Sequence, residues 1–208
     1  MRLTLLDIPT PSLVLDRARL ERNLARMSEK MRSHGVALRP HLKTAKSAEV
    51  ARLAVSGESG GITVSTLAEA EYFAERGFLD ITVAAAQPPS KLDRAATLSD
   101  RGIALTLITD NVAGARAIAA HRGSFRVLVE LDSGDGRAGV KPDSESLIDV
   151  ARALGTKLHG VMTHAGHSYE CESIQCVSAV AEDERSTVVS AAERLRTAGL
   201  PCEVVSVG

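Results

Sequence analysis

One phrase recurs down this chain: a short apolar run, a polar turn, an amphipathic stretch, then glycine. Apolar runs begin near Val36, Gly61, Ile81, Ala104, Phe125, Leu158 and Glu203, and stretches with helical spacing close at Gly57, Gly77, Gly102, Gly123, Gly155 and Gly199. In the first such stretch Leu20, Leu24, Met27 and Met31 recur at helical intervals, Asp16 stands at the capping position and Gly35 follows. Thr66 and Glu69 have the spacing of a capping box, and Asp110 is placed to cap the helix that runs to His121. Strands alternating with helices call for parallel pairing and right-handed crossovers. Seven strands in that rhythm predict an α/β fold, a (β/α)8 TIM-type barrel that is incomplete at its C-terminus. An open parallel sheet is the alternative; no G-x-G-x-x-G follows the first apolar run, which counts against a dinucleotide-binding version.

The final residues, Val204-Val205-Ser206-Val207-Gly208, read as a strand and the start of a turn. A seventh barrel strand would leave an apolar outer edge unpaired. The expectation is therefore a single barrel domain over residues 1–208, cut from a longer protein. Net charge is -1, so no electrostatic case exists for nucleic acid or an anionic membrane. No apolar run approaches the ~20 residues that span a bilayer, and Met1 to Thr10 lacks the features of a signal peptide. Cys171, Cys176 and Cys202 match no zinc-site spacing and cannot all pair with one another. They are read as reduced thiols, in a cytoplasmic protein.

In a barrel of this kind chemistry gathers where the strands end. The segment Val36-Ala37-Leu38-Arg39-Pro40-His41-Leu42-Lys43-Thr44-Ala45-Lys46 delivers two lysines, an arginine and a histidine there. An amine crowded by other cations loses its proton more easily, and a neutral amine can form a Schiff base with an aldehyde; a solvated cationic loop is the plain alternative. Ser65, Thr66, Gln87, Thr109 and Asp110 end the next three runs. After Glu130-Leu131-Asp132 comes Ser133-Gly134-Asp135-Gly136-Arg137-Ala138-Gly139. It lacks the alternation and distal glutamate of a calcium loop. A tight turn that aims Arg137 at an anionic oxygen and a surface turn with a solvated arginine both fit.

His164 and His167 stand three apart, yet no carboxylate accompanies them in the manner of a zinc site. A flat imidazole at His164 and the hydroxyl of Tyr169 suit contact with an aromatic cofactor ring; His167 could serve the substrate side. Ser206 and Gly208 look like the opening of a phosphate nest of backbone N–H groups and a hydroxyl.

Arg39-Pro40-His41-Leu42-Lys43-Thr44 resembles the R-P-H-x-K-T motif of fold type III pyridoxal-phosphate enzymes, in particular the D-threonine aldolase and D-serine dehydratase group, whose barrel is related to that of alanine racemase. Thr10-Pro11-Ser12-Leu13-Val14, Gly61 to Thr66, Gly160 to Gly166 and Val205 to Gly208 are similar to that group as well, so the likeness runs over the whole chain. It implies that Lys43 carries pyridoxal 5'-phosphate as an imine and later shuttles a proton. It implies that His41 sits beside that linkage, Arg137 near the cofactor's phenolic oxygen, His164 beside its ring and Tyr169 near its pyridine edge. Ser206 and Gly208 would begin the phosphate cradle.

The same resemblance implies a lyase that cleaves D-threonine and related D-β-hydroxy amino acids to glycine and an aldehyde. A D-serine or D-threonine dehydratase and a non-catalytic cofactor-binding protein are its alternatives. Members of the group carry a second, β-rich domain that supplies the ligands of a divalent metal, Mn or Zn. No ligand to that metal is assigned to His159, His164 or His167. A small-molecule amino acid is the expected partner, and a homodimer is left open.

Overall fold

A computed structural model describes residues 4–57 and 61–208. Six parallel strands lie side by side in the order in which they occur in the chain: β1 (Ile62–Val64), β2 (Asp80–Val83), β3 (Ala104–Thr109), β4 (Arg126–Leu131), β5 (Leu158–Thr163) and β6 (Val204–Ser206). This sequential parallel order is that of a (β/α) barrel before closure. The helices are α1 (Arg17–Ser33), α2 (Ala48–Ala54), α3 (Leu67–Ala74), α4 (Leu92–Asp100), α5 (Val112–Ala120), α6 (Glu145–Leu154) and α7 (Ile174–Thr197).

The seven expected strands reduce to six and a bridge among the described residues. The run from Val36 contributes only a parallel bridge from His41 to Thr63. Leu42 N–H donates to the Thr63 carbonyl at 2.9 Å, and Thr63 N–H to the Pro40 carbonyl at 2.9 Å. Pro40 has no N–H to give, so the ladder cannot extend backwards through it.

Capping follows the sequence reading at α1 and α3, is supplied at α2 by Ser47, and departs from the reading at α5. Asp16 accepts from Arg19 N–H at 2.9 Å at the start of α1, and Ser47 from Val50 N–H at 3.3 Å at the start of α2. Thr66 accepts from Glu69 N–H at 3.1 Å, while the Glu69 carboxylate reaches back to Ser65 N–H at 2.7 Å. The expected Asp110 cap is instead Asn111, whose extended backbone lets its side chain accept from Gly114 N–H at 2.7 Å. Asp110, one residue too early for that geometry, turns its carboxylate to Gly139 N–H at 3.1 Å.

Strand residues alternate between two faces. Ile62, Val64, Ile81, Val83, Leu105, Leu107, Val127 and Val129 join the helices in the apolar core, where each is at most 1% exposed. The helices complete that layer with Phe73, Leu98, Ile118, Leu147, Leu154 and Leu195, which are equally buried.

The cysteine reading needs correction. Cys171 and Cys176 are joined by a disulfide, with Cα atoms 5.6 Å apart, and the free Cys202 is buried. The chain doubles back at Ser173, whose hydroxyl accepts from Cys176 N–H at 3.2 Å and so brings the two thiols within bridging distance. With one pair oxidised, the thiol count no longer speaks for a compartment. No described helix is long and apolar enough to cross a membrane.

Candidate active site

The face of the sheet turned away from the helices carries the polar residues. His41, Thr63, Thr82 and Thr106 pair in register across it, and farther along the strands come Leu128 paired with Ile108, then Glu130 paired with Met162, then Ser206 next to Met162. Lys43 and His164 extend the same alternating rows past their strand ends. Strand parity puts His41, Glu130 and Ser206 on one face of the sheet, and Lys43 and His164, at the rim beyond it, lie near enough to His41 to lower its pKa.

Lys43 lies in a turn closed by Lys46, whose φ of +45° lets its N–H bond the Leu42 carbonyl at 2.9 Å. The Lys46 ammonium pairs with Glu69 at 3.1 Å, which ties the turn to the start of α3. Lys43 itself makes no ion pair among the described residues, and its side chain is exposed. Its backbone N–H donates to His41 Nδ1 at 3.2 Å, so a neutral His41 ring carries its proton on Nε2. Burial pushes the His41 pKa down, the neighbouring Lys43 and His164 push the same way, and Glu69 opposes them. Arg39, two residues upstream, serves structure: its guanidinium forms two hydrogen bonds with Asp80, at 2.8 and 3.1 Å, at the other end of the strands.

Asp132 organises the loop that bears Arg137. Its carboxylate accepts from Gly134 N–H at 2.8 Å, Gly136 N–H at 3.0 Å and the Lys141 ammonium at 2.7 Å. The Lys141 hydrogen bond above all pulls its pKa down to about 2, against the cost of burial. Gly139 is required there; at its φ of +98° a Cβ would overlap the backbone of Leu131 and Asp132. Arg137 is exposed, with its Nε 3.9 Å from Asp135. Glu130 is half-buried at the end of β4, and burial raises its pKa, helped by Asp110 and opposed by Arg137.

Beyond β5 the His164 and Tyr169 rings lie 6.3 Å apart at a tilt of 58°. His164 Nδ1 donates to the Gly208 carbonyl at 2.7 Å, and Tyr169 is exposed. His167 Nδ1 is buried without a hydrogen-bond partner among the described residues, with its ring beside Gly134. Glu184 of α7, which sequence reasoning missed, accepts from both Ala165 N–H at 2.9 Å and Gly208 N–H at 3.2 Å. It sits within the polar run Glu182-Asp183-Glu184-Arg185, where nothing in the spacing sets it apart. The structure thus brings His41, Lys43 and His164 together and leaves Arg137 and Tyr169 at the outer edge of the rim.

Two clefts of about 380 and 460 Å³ lie elsewhere, one lined by Arg52, Phe78 and Asp80, the other by Ile148, Arg194 and Thr197. Neither holds the polar convergence of the rim. No group of three His, Cys, Asp or Glu among the described residues could hold a metal ion. An unpaired amine beside a ring that resists protonation suits an aldehyde-bearing cofactor, and the cations of the rim suit its phosphate.

The alanine racemase N-terminal domain matches residues 15–208. D-threo-3-hydroxyaspartate dehydratase of Delftia sp. (strain HT23) is 48% identical over 216 residues, which span 100% of this chain and 57% of that protein. 3-hydroxy-D-aspartate aldolase of Paracoccus denitrificans (strain Pd 1222) is 33% identical over 97% of this chain and 54% of its own length. The solved structure of the Delftia dehydratase superposes with a TM-score of 0.95 at 47% identity, over 100% of this chain and 57% of that one. The chain spans little more than half the length of these relatives.

Proposed function

Since the chain belongs to the family of the alanine racemase N-terminal domain, we propose that it forms the cofactor-binding part of a pyridoxal 5'-phosphate-dependent lyase for D-configured β-hydroxy amino acids. The observation that carries this reading is the free amine of Lys43 beside His41, on the rim that also bears His164. The 48% identity to a dehydratase favours loss of water from D-threo-3-hydroxyaspartate. Aldol cleavage of the same acid, or of D-threonine, is the second reading, favoured by the 33% identity to an aldolase.

When bound, the cofactor offers an aldehyde to an amine and a ring that accepts an electron pair from the substrate's α-carbon. Lys43 Nζ is the amine that would hold it and, once displaced by the substrate amine, would be free to move a proton at the α-carbon. His41 stays neutral at neutral pH because burial and the flanking cations disfavour its protonated form. Its Nε2–H is then available as a proton donor, and the Lys43 N–H on Nδ1 keeps that tautomer. Arg137 would take the cofactor's phenolic oxygen, with Glu130 and Asp135 as its counter-charges. His164 would lie beside the ring, Tyr169 at its edge, and Ser206 with Gly208 near the phosphate.

Reducing the full chain with borohydride in the presence of pyridoxal 5'-phosphate tests the cofactor assignment. The adduct is expected on the Lys43 peptide and is expected to vanish in Lys43→Ala; an adduct spread over surface lysines would refute it. Turnover of D-threo-3-hydroxyaspartate then separates the two bond cleavages. Oxaloacetate and ammonia mark the dehydratase, whereas glycine and glyoxylate mark the aldolase.

A further inference from the structure

The chain after β5 and the chain after β6 are held together by one carboxylate oxygen. Glu184 Oε1 accepts from Ala165 N–H at 2.9 Å and from Gly208 N–H at 3.2 Å. The circuit closes through His164, whose Nδ1 donates to the Gly208 carbonyl at 2.7 Å. Both N–H groups belong to irregular backbone past a strand end, where no ladder would satisfy them. Glu184 projects from the middle of α7, a helix anchored to the core by Val188, Ala191, Ala192 and Leu195. Its position is set by the helix, whereas the two loops it binds are not set by the sheet.

We infer that Glu184 is a positioning residue for His164. A carbonyl oxygen can only accept, so the Gly208 bond requires the proton on His164 Nδ1 and leaves Nε2 of the neutral ring as the acceptor facing other partners. Without Glu184 the Ala165 N–H, next to His164, and the Gly208 N–H lose their shared acceptor, so the backbone on both sides of the His164–Gly208 bond shifts and the ring loses its orientation and its tautomer. Hydrogen bonds to an ionised acceptor are about twice as strong as neutral ones, which is why a carboxylate suits this junction. The inference deepens the proposed function, because it takes the His164 rim as the cofactor side.

The test is nitrogen-15 NMR of histidine-labelled full chain, recorded without cofactor at a pH where His164 is neutral. The wild type is expected to show His164 in the Nδ1–H form. Glu184→Ala is expected to move it to a mixture dominated by Nε2–H, and Glu184→Gln, which keeps an acceptor oxygen, to restore the wild-type pattern. An unaltered His164 signal in Glu184→Ala would overturn the inference, as would a Gln variant that behaves like Ala. Should the Ala variant fail to fold, Glu184→Asp, one methylene too short to reach both N–H groups, is read in the same way. In a second arm, cofactor titration is expected to weaken about tenfold in Glu184→Ala with the Lys43 adduct still forming. A changed tautomer with unchanged cofactor affinity would sink the link to the cofactor, and a missing Lys43 adduct in the wild type would sink the proposed function instead.

Discussion

The amino-terminal quarter of the molecule and its middle are built from the same kind of sequence but are held very differently. α1 is amphipathic, yet none of its 17 residues is buried among the described residues. α6 has the same helical rhythm over 10 residues and buries Leu147, Ile148, Val150, Ala151 and Leu154. The contrast extends to the strands. The Val36 run makes a single bridge, whereas β3 and β4 pair over four residues with cores fully enclosed. An apolar stripe thus reports which face of a helix wants cover, not whether cover is present. The proposed catalytic lysine lies in the loosely held quarter, fastened by the Lys46–Glu69 pair and the Arg39–Asp80 fork. Mobile elements near a site are commonly drawn from the less stable end of a fold.

The widest gap between the two regions should appear in the core. Leu147→Ala is expected to cost about 3 kcal/mol in denaturant unfolding, because Leu147 is wholly buried and its neighbours cannot fill the hole. Leu24→Ala in α1 is expected to cost less than about 1 kcal/mol. Equal losses would erase the distinction.

Next in size is Gly139→Ala, expected to cost about 2 kcal/mol and to loosen the Arg137 loop, since a Cβ there meets the backbone of Leu131 and Asp132 at a left-handed φ. Proteolysis within Gly134–Gly139 measures the loosening. Gly57→Ala, just past α2, also has positive φ but meets no atom among the described residues, and should cost less.

Asp132 gives a smaller effect with a definite pH signature. Its folded pKa, about 2, lies below the ordinary 3.8, so its stabilisation is complete above the ordinary value and is lost as pH falls from there through about 2. That difference corresponds to roughly 2 kcal/mol at neutral pH. Asp132→Asn is expected to flatten unfolding free energy across that acid window; a curve as steep as the wild type would contradict the assignment.

His41 acts in the same sense, closer to neutrality. A folded pKa below the ordinary 6.5 means the neutral ring is favoured, so its contribution to stability is present above 6.5 and falls away as pH drops below it. The acid limb of kcat/KM is expected below that ordinary histidine value in the full-length enzyme, and a limb above it would argue against His41 as the titrating group. Smallest of all, Glu69→Gln is expected to change global stability by no more than about 1 kcal/mol while speeding hydrogen exchange at Lys46 N–H.

Much of this molecule was legible in its residues. Alternating apolar runs and helical stripes gave six strands within a few residues, because burial on one face leaves a period that local chemistry cannot hide. The Asp16 cap and the Thr66–Glu69 pair were readable for the same reason: both are interactions over three residues. Lys43, His41 and His164 could be named as candidates from motif and strand-end position. Other features were closed to such reading. Asp110 and Asn111 are both good caps, and the choice between them depended on Gly139, 29 residues away, which claimed the aspartate. Pro40 cut the first strand to a bridge, since a ladder needs a donor that proline lacks.

Periodicity and capping depend on neighbours a few residues apart, so the order of elements and the parallel barrel plan belong to the sequence itself. Convergence does not. That Glu184, in a run of like charges, would satisfy backbone donors at both Ala165 and Gly208 was decided only when α7 was laid across the ends of β5 and β6. The disulfide between Cys171 and Cys176 likewise waited on the turn at Ser173. Long-range hydrogen bonds and covalent closure depend on where distant segments come to rest, and packing of the whole core sets that position.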